Sequence, residues 1–224
     1  MRTLFFDIES TDLSADIGNI LCIGYKWSDE KTTHIIDIVK YPGKTLADDS
    51  GVLREFEKVY LQADVVVFHF GEYFDLPFIQ TRRLIHGMKP LPVVTAVDTW
   101  RIAKKRLKFG SNRLERILDV LKCPYKKTPV ALSIWAKARV GDRNALKYII
   151  EHCYKDVKIL EWVYNKIKSV WDRHPRVMPI TNAPNCPVCG GVGKSEGIRA
   201  NSVHTYRRMV CKKCGFNWKA EKLS

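Results

Sequence analysis

An alternation of acidic and apolar residues near the N-terminus constrains the fold of this chain more than any other feature. Residues 4–11 begin with three apolar side chains and continue as Asp7, Ile8 and Glu9. On a β-strand, residues two apart point to the same face, so the two acids would lie side by side while Phe6 and Ile8 face a core. Adjacent carboxylates repel each other unless a cation lies between them, and Mg²⁺ prefers oxygen ligands. The pattern therefore predicts either a divalent-metal site or a strand end with two solvated acids.

The next segments predict an α/β fold built on this strand. Residues 20–27 and 32–39 lie on either side of a polar turn and have the composition of antiparallel strands. Apolar residues then recur at helical spacing over 52–60, and a short continuous apolar run at 65–68 indicates a buried strand. Because a helix separates this strand from the first three, we expect it to return beside the first strand and run parallel to it.

Helices dominate the following hundred residues. The patterns predict a helix over 75–87, a strand over 93–97 and two helices over 99–108 and 113–122. A long amphipathic helix is expected over 141–168, because its apolar residues recur every three or four positions.

A large excess of basic residues points to a polyanionic partner. The 224 residues have a formal net charge of +14, and nucleic acid is the expected partner. The basic loop at 123–129 is interpreted as a solvated surface loop, with a phosphate contact as the alternative. No apolar run is as long as a transmembrane helix, and Asp7 and Glu9 interrupt any N-terminal signal sequence. We therefore expect no membrane partner and a cytoplasmic location, in the host cytoplasm if the protein is viral.

Three acidic motifs occur in order along the chain. They are residues 7–11 (DIEST), residues 69–79 (HFGEYFDLPFI) and residues 151–157 (EHCYKDV). Together they resemble the motifs of the DEDD superfamily of 3′→5′ exonucleases, over about residues 1–170. The resemblance implies an α/β fold with an RNase H-like mixed β-sheet flanked by helices. It also implies that four acids are catalytic and bind metal, namely Asp7, Glu9, Asp75 and Asp156.

Two positions depart from the motifs of this superfamily. The second motif often carries an Asn five residues before its Asp, where this chain has Phe70. The third motif has a Tyr four residues before its Asp in one branch and a His five residues before it in another, whereas His152 lies four residues before Asp156. This spacing puts both side chains on one face of a helix, so we assign the catalytic role to His152, with a helix-surface histidine as the alternative.

The mechanism implied by the resemblance is two-metal hydrolysis. Two Mg²⁺ or Mn²⁺ ions would be held by the four acids, and His152 would orient or deprotonate the attacking water near neutral pH. Five residues near the motifs are candidates for contacting the terminal nucleotide or stacking on a base, although packing explains them equally well: Thr11, Leu13, Phe70, Tyr73 and Phe74.

Four of the seven cysteines form two CxxC pairs near the C-terminus, Cys186 with Cys189 and Cys211 with Cys214. Two pairs separated by 21 residues fit a zinc ribbon with one structural Zn²⁺, and a redox dithiol is the alternative. Glycines at 190 and 215 permit the tight turns that aim the thiols inward.

The same region is strongly basic. Residues 182–224 hold eight lysines and arginines against two acids. Arg207, Arg208 and Trp218 are therefore candidate contacts to single-stranded nucleic acid. The alternatives are that the aromatic residue fills the core of the ribbon and that the basic face docks on another protein.

These observations predict three parts and one function. An exonuclease domain at 1–172 is followed by a proline-containing linker at 173–184 and a zinc ribbon at 185–224. The predicted function is metal-dependent 3′→5′ exonuclease activity, with single-stranded DNA as the favoured substrate. The alternatives are an RNase H-like nuclease acting on RNA or branched DNA, and a nucleic-acid-binding protein whose nuclease site has decayed.

Overall fold

The computed structural model describes residues 2–45, 47–170, 185–186, 189–200, 205–215 and 217–222. The chain divides into two compact units, Arg2–His174 and Pro175–Ser224. The linker predicted at 173–184 lies outside the described residues, and the domain boundaries inferred from the sequence remain predictions.

The first unit is built on a five-stranded mixed sheet. Its strands are β1 (Thr3–Ser10), β2 (Ile20–Trp27), β3 (Thr33–Asp37), β4 (Val65–Phe68) and β5 (Thr95–Asp98), in the spatial order β3-β2-β1-β4-β5. The pairs β1–β2 and β2–β3 are antiparallel, whereas β1–β4 and β4–β5 are parallel. The sheet confirms that the chain returns beside the first strand after one helix.

Helices connect and cover the strands. They are α1 (Ser50–Tyr60), α2 (Asp75–Ile85), α3 (Thr99–Arg106), α4 (Leu114–Val120), α5 (Leu132–Arg139) and α6 (Arg143–Ile167). The short helix α5 was not anticipated from the sequence. Among the described residues, no helix is long and apolar enough to cross a membrane.

Both faces of the sheet are buried. On one face, the ring of Phe6 packs against Phe56 of α1 with centroids 5.1 Å apart. On the other face, Phe5 packs edge-on against Tyr164 of α6 with centroids 5.3 Å apart. Because side chains alternate along a strand, the two acids of β1 share the face of Phe5 and point toward α6.

Helix α6 approaches the sheet closely at Gly24 of β2. A Cβ atom there would lie 2.8 Å from the side chain of Val157 and 2.9 Å from Cys153 Sγ, so a larger residue would push the helix away. The side chain of Asp142 begins the helix by accepting a hydrogen bond from the backbone N–H of Ala145 at 2.8 Å. The third motif is therefore held against β2, the antiparallel neighbour of the strand that carries the first motif.

The second unit contains a three-stranded antiparallel sheet. Its strands are β6 (Gly193–Ala200), β7 (Thr205–Cys211) and β8 (Asn217–Lys222), with β7 in the centre. The two CxxC pairs lie before β6 and at the end of β7.

Candidate active site and zinc site

The three acidic motifs meet in one cleft of about 320 Å³. The four predicted acids and the predicted catalytic histidine all line it: Asp7, Glu9, Asp75, His152 and Asp156. They come from β1, from the first residue of α2 and from α6. The structure thus brings together every side chain for which the resemblance implies a catalytic role.

Asp75 joins the second motif to the first. Its Oδ1 accepts a hydrogen bond from the backbone N–H of Ile8, at 3.1 Å. The carboxyl group is buried, and burial raises its pKa to about 7, despite backbone hydrogen bonds that lower it. A carboxylate with this pKa is half neutral near physiological pH unless a cation stabilises its charge.

The two acids of β1 are in a similar environment. Burial raises the pKa of Asp7 well above its usual range, and the nearby charges of Asp75 and Asp156 raise it further. Burial likewise raises the pKa of Glu9, with additional contributions from Asp7 and Asp156. Several carboxylates in one desolvated cleft repel each other, which favours either protonation or a bound cation.

The donor atoms fit a hard divalent cation. Glu9, His152 and Asp156 offer ligand atoms that lie within 4.8 Å of one another. Asp156 Oδ1 is buried and has no hydrogen-bond partner among the described residues. A buried carboxylate oxygen without a donor is costly, and coordination to Mg²⁺ or Mn²⁺ would satisfy it.

His152 lies between two of these acids. Its Nε2 is 3.7 Å from Glu9 Oε1 and 3.6 Å from Asp156 Oδ2, as expected for a histidine on the same helical face as Asp156. Burial lowers its pKa, although the charge of Asp156 opposes that shift. The His152 imidazole is therefore neutral at pH 7 and can accept a proton.

Lys127 also enters the cleft, whereas the sequence analysis favoured a solvated loop and gave a phosphate contact as the alternative. Its Nζ lies 2.9 Å from Asp156 Oδ2, and its side chain is 37% exposed. Partial burial would lower the pKa of this ammonium, but the charges of Asp156, Asp7 and Glu9 outweigh burial and raise it. The only indication in the sequence was the pair Lys126–Lys127, and the sequence does not show which of these two lysines reaches the cleft.

Two other lining residues were missed. Trp135 comes from α5, the helix that the sequence analysis did not predict. His69 lines the cleft with its ring nitrogens engaged by the Thr99 hydroxyl at 2.9 Å and the Asn112 carbonyl at 3.1 Å. Burial lowers the pKa of His69 to about 4, so we regard this histidine as a neutral structural residue.

The predicted substrate contacts fall into two groups. Phe70 and Phe74 line the cleft, and Tyr73 is 57% exposed beside Phe70. Thr11 and Leu13 are not among the residues that line it. The Thr11 hydroxyl bonds to the Asn19 side chain at 3.1 Å, and Leu13 is 83% exposed.

A larger cavity of about 510 Å³ lies elsewhere on this unit. Four of its eight lining residues are lysines, and its one acid, Glu161, pairs with Lys26 at 2.7 Å. Because this cavity lacks a cluster of carboxylates, we assign the chemistry to the smaller cleft.

In the second unit, the four cysteines converge. Their Sγ atoms all lie within 4.8 Å of one another, with Cys186–Cys214 at 3.7 Å and Cys189–Cys211 at 3.5 Å. Backbone N–H groups of Cys214 and Lys213 donate to Cys211 Sγ and lower the pKa of this thiol to about 6. Thiolates are the form that binds metal, so the cluster is compatible with a Cys₄ zinc ribbon.

The turns beside the cysteines have the predicted backbone. Gly190 and Gly215 have φ values of +69° and +72°, which L-residues rarely adopt. In each turn the glycine N–H donates a hydrogen bond to the carbonyl oxygen of the first cysteine of the CxxC pair. Gly190 donates to Cys186 O at 2.8 Å, and Gly215 donates to Cys211 O at 3.0 Å.

One predicted nucleic-acid contact in this unit needs correction. Trp218 is 3% exposed and packs with Cys186, Cys211 and Ala220 in the core of the ribbon. A buried indole cannot stack on a base without unfolding its surroundings, so the core interpretation replaces substrate binding for Trp218. Arg207 and Arg208 lie on β7 and are half-buried, and their role remains a proposal.

Comparison with known proteins identifies the family. Residues 4–168 match the RNase_H superfamily, and this chain belongs to it. A family B DNA polymerase from the hyperthermophilic archaeon Pyrobaculum calidifontis has a similar fold, with a TM-score of 0.62 and 17% sequence identity. The similarity covers 75% of this chain and 24% of that polymerase, so the chain spans about a quarter of the polymerase. No curated protein matches the sequence.

Family membership confirms the RNase H-like fold that the motifs implied. Together with the carboxylate cleft, it supports a nuclease that uses divalent metal ions and acts on nucleic acid.

Proposed function

We propose that this protein is a metal-dependent 3′→5′ exonuclease that hydrolyses phosphodiester bonds of nucleic acid, with single-stranded DNA as the favoured substrate. The observation that carries the proposal is the meeting of four carboxylates with His152 in one cleft. The direction of hydrolysis follows from the resemblance of the three motifs to DEDD exonucleases.

Asp7, Glu9, Asp75 and Asp156 would hold two Mg²⁺ or Mn²⁺ ions. Bound ions of this kind lower the pKa of an attacking water and stabilise the oxygen that leaves. The pKa values of Asp7, Glu9 and Asp75 are raised because burial and neighbouring carboxylates destabilise the charged forms of these acids. A bound cation would offset this cost.

The protein's own side chains would supply two further functions. The neutral imidazole of His152 accepts a proton from the attacking water, because burial keeps it unprotonated near pH 7. The ammonium of Lys127 offers a positive charge to the phosphate that enters the cleft.

The ribbon would contribute to binding rather than to chemistry. One Zn²⁺ held by Cys186, Cys189, Cys211 and Cys214 would be structural, because all four positions are filled by the protein. Arg207 and Arg208 of β7 would contact the phosphates of the substrate strand, and docking on a protein partner is the alternative role of this surface.

The test is degradation of end-labelled strands in Mg²⁺ or Mn²⁺. A 3′ label on single-stranded DNA should be released at once as a mononucleotide, whereas a 5′ label should remain on fragments that shorten one nucleotide at a time. Asp7→Ala is the control, and it should stop hydrolysis while leaving the folded structure intact. Internal products, 5′ release or cleavage of only RNA or branched DNA would replace the proposal with another RNase H-like nuclease. Binding without hydrolysis would indicate a decayed site.

A further inference from the structure

The larger cavity of the first unit, of about 510 Å³, concentrates positive charge that the proposed chemistry does not use. Four lysines line it, namely Lys26, Lys31, Lys158 and Lys166. Its one acid, Glu161, pairs with Lys26 at 2.7 Å. Within the part of the chain that the structure describes, the other three lysines form no ion pair. The cavity therefore offers three uncompensated positive charges to a ligand.

The floor of this cavity belongs to the packed contact between β2 and α6. Lys26 is only 6% exposed. Residues two apart on a strand share a face, so Lys26 points to the same side as Gly24, which packs against Val157 of α6. Glu161, the partner of Lys26, follows Val157 by one helical turn. The cavity therefore has a buried, ion-paired wall and is more than a group of surface lysines.

Two of the other lysines stand over aromatic rings. Lys166 Nζ lies 5.3 Å from the centroid of the Trp162 ring, and Lys158 Nζ lies 4.4 Å from that of Tyr154. A ring face attracts an ammonium without neutralising its charge, so both lysines can still bind an anion. Trp162 and Tyr125 themselves line the cavity, whose volume falls within the range of about 300–1,000 Å³ that is usual for ligand sites.

One loop connects this cavity to the carboxylate cleft. Tyr125 lines the cavity, and Lys127, two residues later, lines the cleft. The next residue, Thr128, accepts a hydrogen bond from Lys155 Nζ of α6 at 3.4 Å. Positive charge therefore continues from the cleft along the loop and the adjoining surface of α6. A strand that leaves the cleft beside Lys127 would meet the cavity next.

The spacing along α6 suits a nucleic-acid strand. Asp156 lies in the cleft, and the residues of α6 that line the cavity extend from Lys158 to Lys166. At 1.5 Å per residue, they lie about 3–15 Å from Asp156 along the helix axis. Four to five nucleotides at about 3.4 Å each, the spacing of one strand in a duplex, cover the longer distance. The phosphates that reach the cavity are therefore expected within about five nucleotides of the strand end.

We propose that this cavity is a second phosphate-binding site, which holds the backbone of the strand whose 3′ end lies in the carboxylate cleft. The inference rests on the proposed exonuclease function and adds to it the path of the strand, from the cleft past the loop at 123–129 and along α6. Contacts to phosphates carry no base information, so the site binds strands of any sequence.

The test is a double-mutant cycle between the protein and the strand. Oligothymidylates of about ten nucleotides each carry one uncharged methylphosphonate, placed in turn at every linkage near the 3′ end. Binding to the full-length protein is measured in EDTA, so that no hydrolysis occurs. In the wild type, the modification that removes a contact in the cavity should weaken binding by about two- to fivefold, the effect of one exposed ion pair. In Lys158→Gln or Lys166→Gln the same modification should lose most of its effect, because the partner charge is already absent.

Lys147→Gln is the matched control. Lys147 is also an exposed lysine of α6, but it lines neither the cavity nor the cleft. This variant should keep the wild-type response to every methylphosphonate. A response that changes equally in Lys147→Gln and in the cavity variants would reduce the effect to overall charge and overturn the proposal.

A free nucleotide is the other source of a phosphate group, and thymidine monophosphate is therefore titrated against the same proteins. If the cavity variants weaken binding of the mononucleotide but show no coupling to any linkage of the strand, the cavity binds a small ligand and the strand path is wrong. Absence of both effects would leave the lysines as solvated charges and would equally overturn the proposal.

Hydrolysis of the unmodified oligothymidylate in Mg²⁺ is measured in parallel. Coupling between a cavity lysine and a linkage, without hydrolysis, would support the phosphate site and refute the exonuclease proposal. Hydrolysis without such coupling would refute the phosphate site alone.

Discussion

Lys127 Nζ contacts Asp156 Oδ2 at 2.9 Å, so a loop cation and a helix acid that are 29 positions apart share the carboxylate cleft. The contact uses an oxygen of the same carboxylate that is expected to bind metal. Lys127 can therefore compete with a divalent ion for Asp156, and it can pair with a phosphate when the ion takes its place. The two consequences are measurable separately.

We predict that Lys127→Ala slows hydrolysis by about 10²-fold, the usual effect of removing one charge-stabilising contact to a transition state. The same change should tighten Mn²⁺ binding to the substrate-free protein, because the competing ammonium is gone. Calorimetric titration measures the second effect independently of activity. Lys126→Ala is the control, since this neighbour is exposed on the same loop. If both variants behave alike, Lys127 has no special role in the cleft.

The raised pKa of Asp75 predicts an unusual pH dependence of stability. An unfolded Asp titrates near 4, whereas Asp75 in the folded protein titrates at about 7. Between these values the folded state binds a proton that the unfolded state does not, so the free energy of unfolding of the metal-free protein should fall as pH rises from about 4 to 7.

We predict that Asp75→Asn flattens this fall and makes the metal-free protein more stable than wild type at pH 8, by on the order of 2–4 kcal/mol. Denaturant unfolding in EDTA at several pH values is the measurement. His69 has a folded-state pKa of about 4, so its contribution to the free energy of unfolding rises with pH below pH 6.5, opposite to that of Asp75. The difference between the two proteins removes this contribution. A variant that is less stable than wild type at pH 8 would contradict the prediction.

His152→Ala should reduce the turnover number by about 10²–10⁴-fold while substrate affinity changes little. The reason is that His152, which lies between Glu9 and Asp156, is proposed to act on the attacking water. His152→Tyr should retain part of the activity, because Tyr occupies this spacing in one branch of the superfamily that the motifs resemble. Single-turnover kinetics separate the chemical step from binding, and an unchanged chemical rate in His152→Ala would return this residue to a structural role.

The sheet and the carboxylate cleft could be predicted because the residues that form them repeat a period or a motif. Strand alternation placed Asp7 beside Glu9, and helical spacing placed His152 beside Asp156. The crossover rule returned β4 next to β1, which brings Asp75 to the same edge. The first two inferences rest on local geometry and the third on a general rule of chain topology, whereas the meeting of Asp156 with the acids of β1 was implied only by the resemblance to DEDD exonucleases.

The position of Lys127 could not be predicted in this way. Its place depends on the path of the chain between α4 and α6, which includes a positive φ of +54° at Lys122 and the unanticipated helix α5. Trp218 illustrates a different limit. An aromatic residue among lysines and arginines fits both a core and a binding face, and only the packing of the ribbon shows that the indole is buried.

The cysteine cluster predicts one zinc per chain, distinct from the catalytic ions. Cys211→Ser should lose this zinc, because Cys211 is a buried member of the cluster with a thiol pKa lowered to about 6. Metal analysis of the purified proteins is the measurement, and hydrolysis of a short oligonucleotide serves as the control because the carboxylate cleft lies in the other unit. Retention of zinc in Cys211→Ser would exclude a Cys₄ site. Loss of zinc together with all hydrolysis would show that the ribbon is needed for chemistry.

The basic surface of the ribbon gives the last prediction, which concerns how binding responds to salt. Each phosphate contact to single-stranded DNA contributes about 0.7 to the slope of log affinity against log salt concentration, because it releases condensed counterions. Because consecutive strand residues point to opposite faces of a sheet, a substrate strand that lies on one face of β7 meets only one of Arg207 and Arg208, so replacing both with Gln should flatten the slope by about 0.7. The slope is measured with the full-length Asp7→Ala protein in EDTA, so that hydrolysis does not interfere.

A second double variant makes this measurement specific. Lys40→Gln with Lys44→Gln removes the same charge from exposed positions in the other unit, between β3 and α1. It should leave the slope nearly unchanged, because neither lysine lines the cleft and charges that do not contact the strand are screened at moderate salt. Equal slopes in all three proteins would show that β7 does not contact the strand. The arginines would then be better explained as part of a docking surface for another protein, since a basic face that is not needed for nucleic acid still attracts acidic partners.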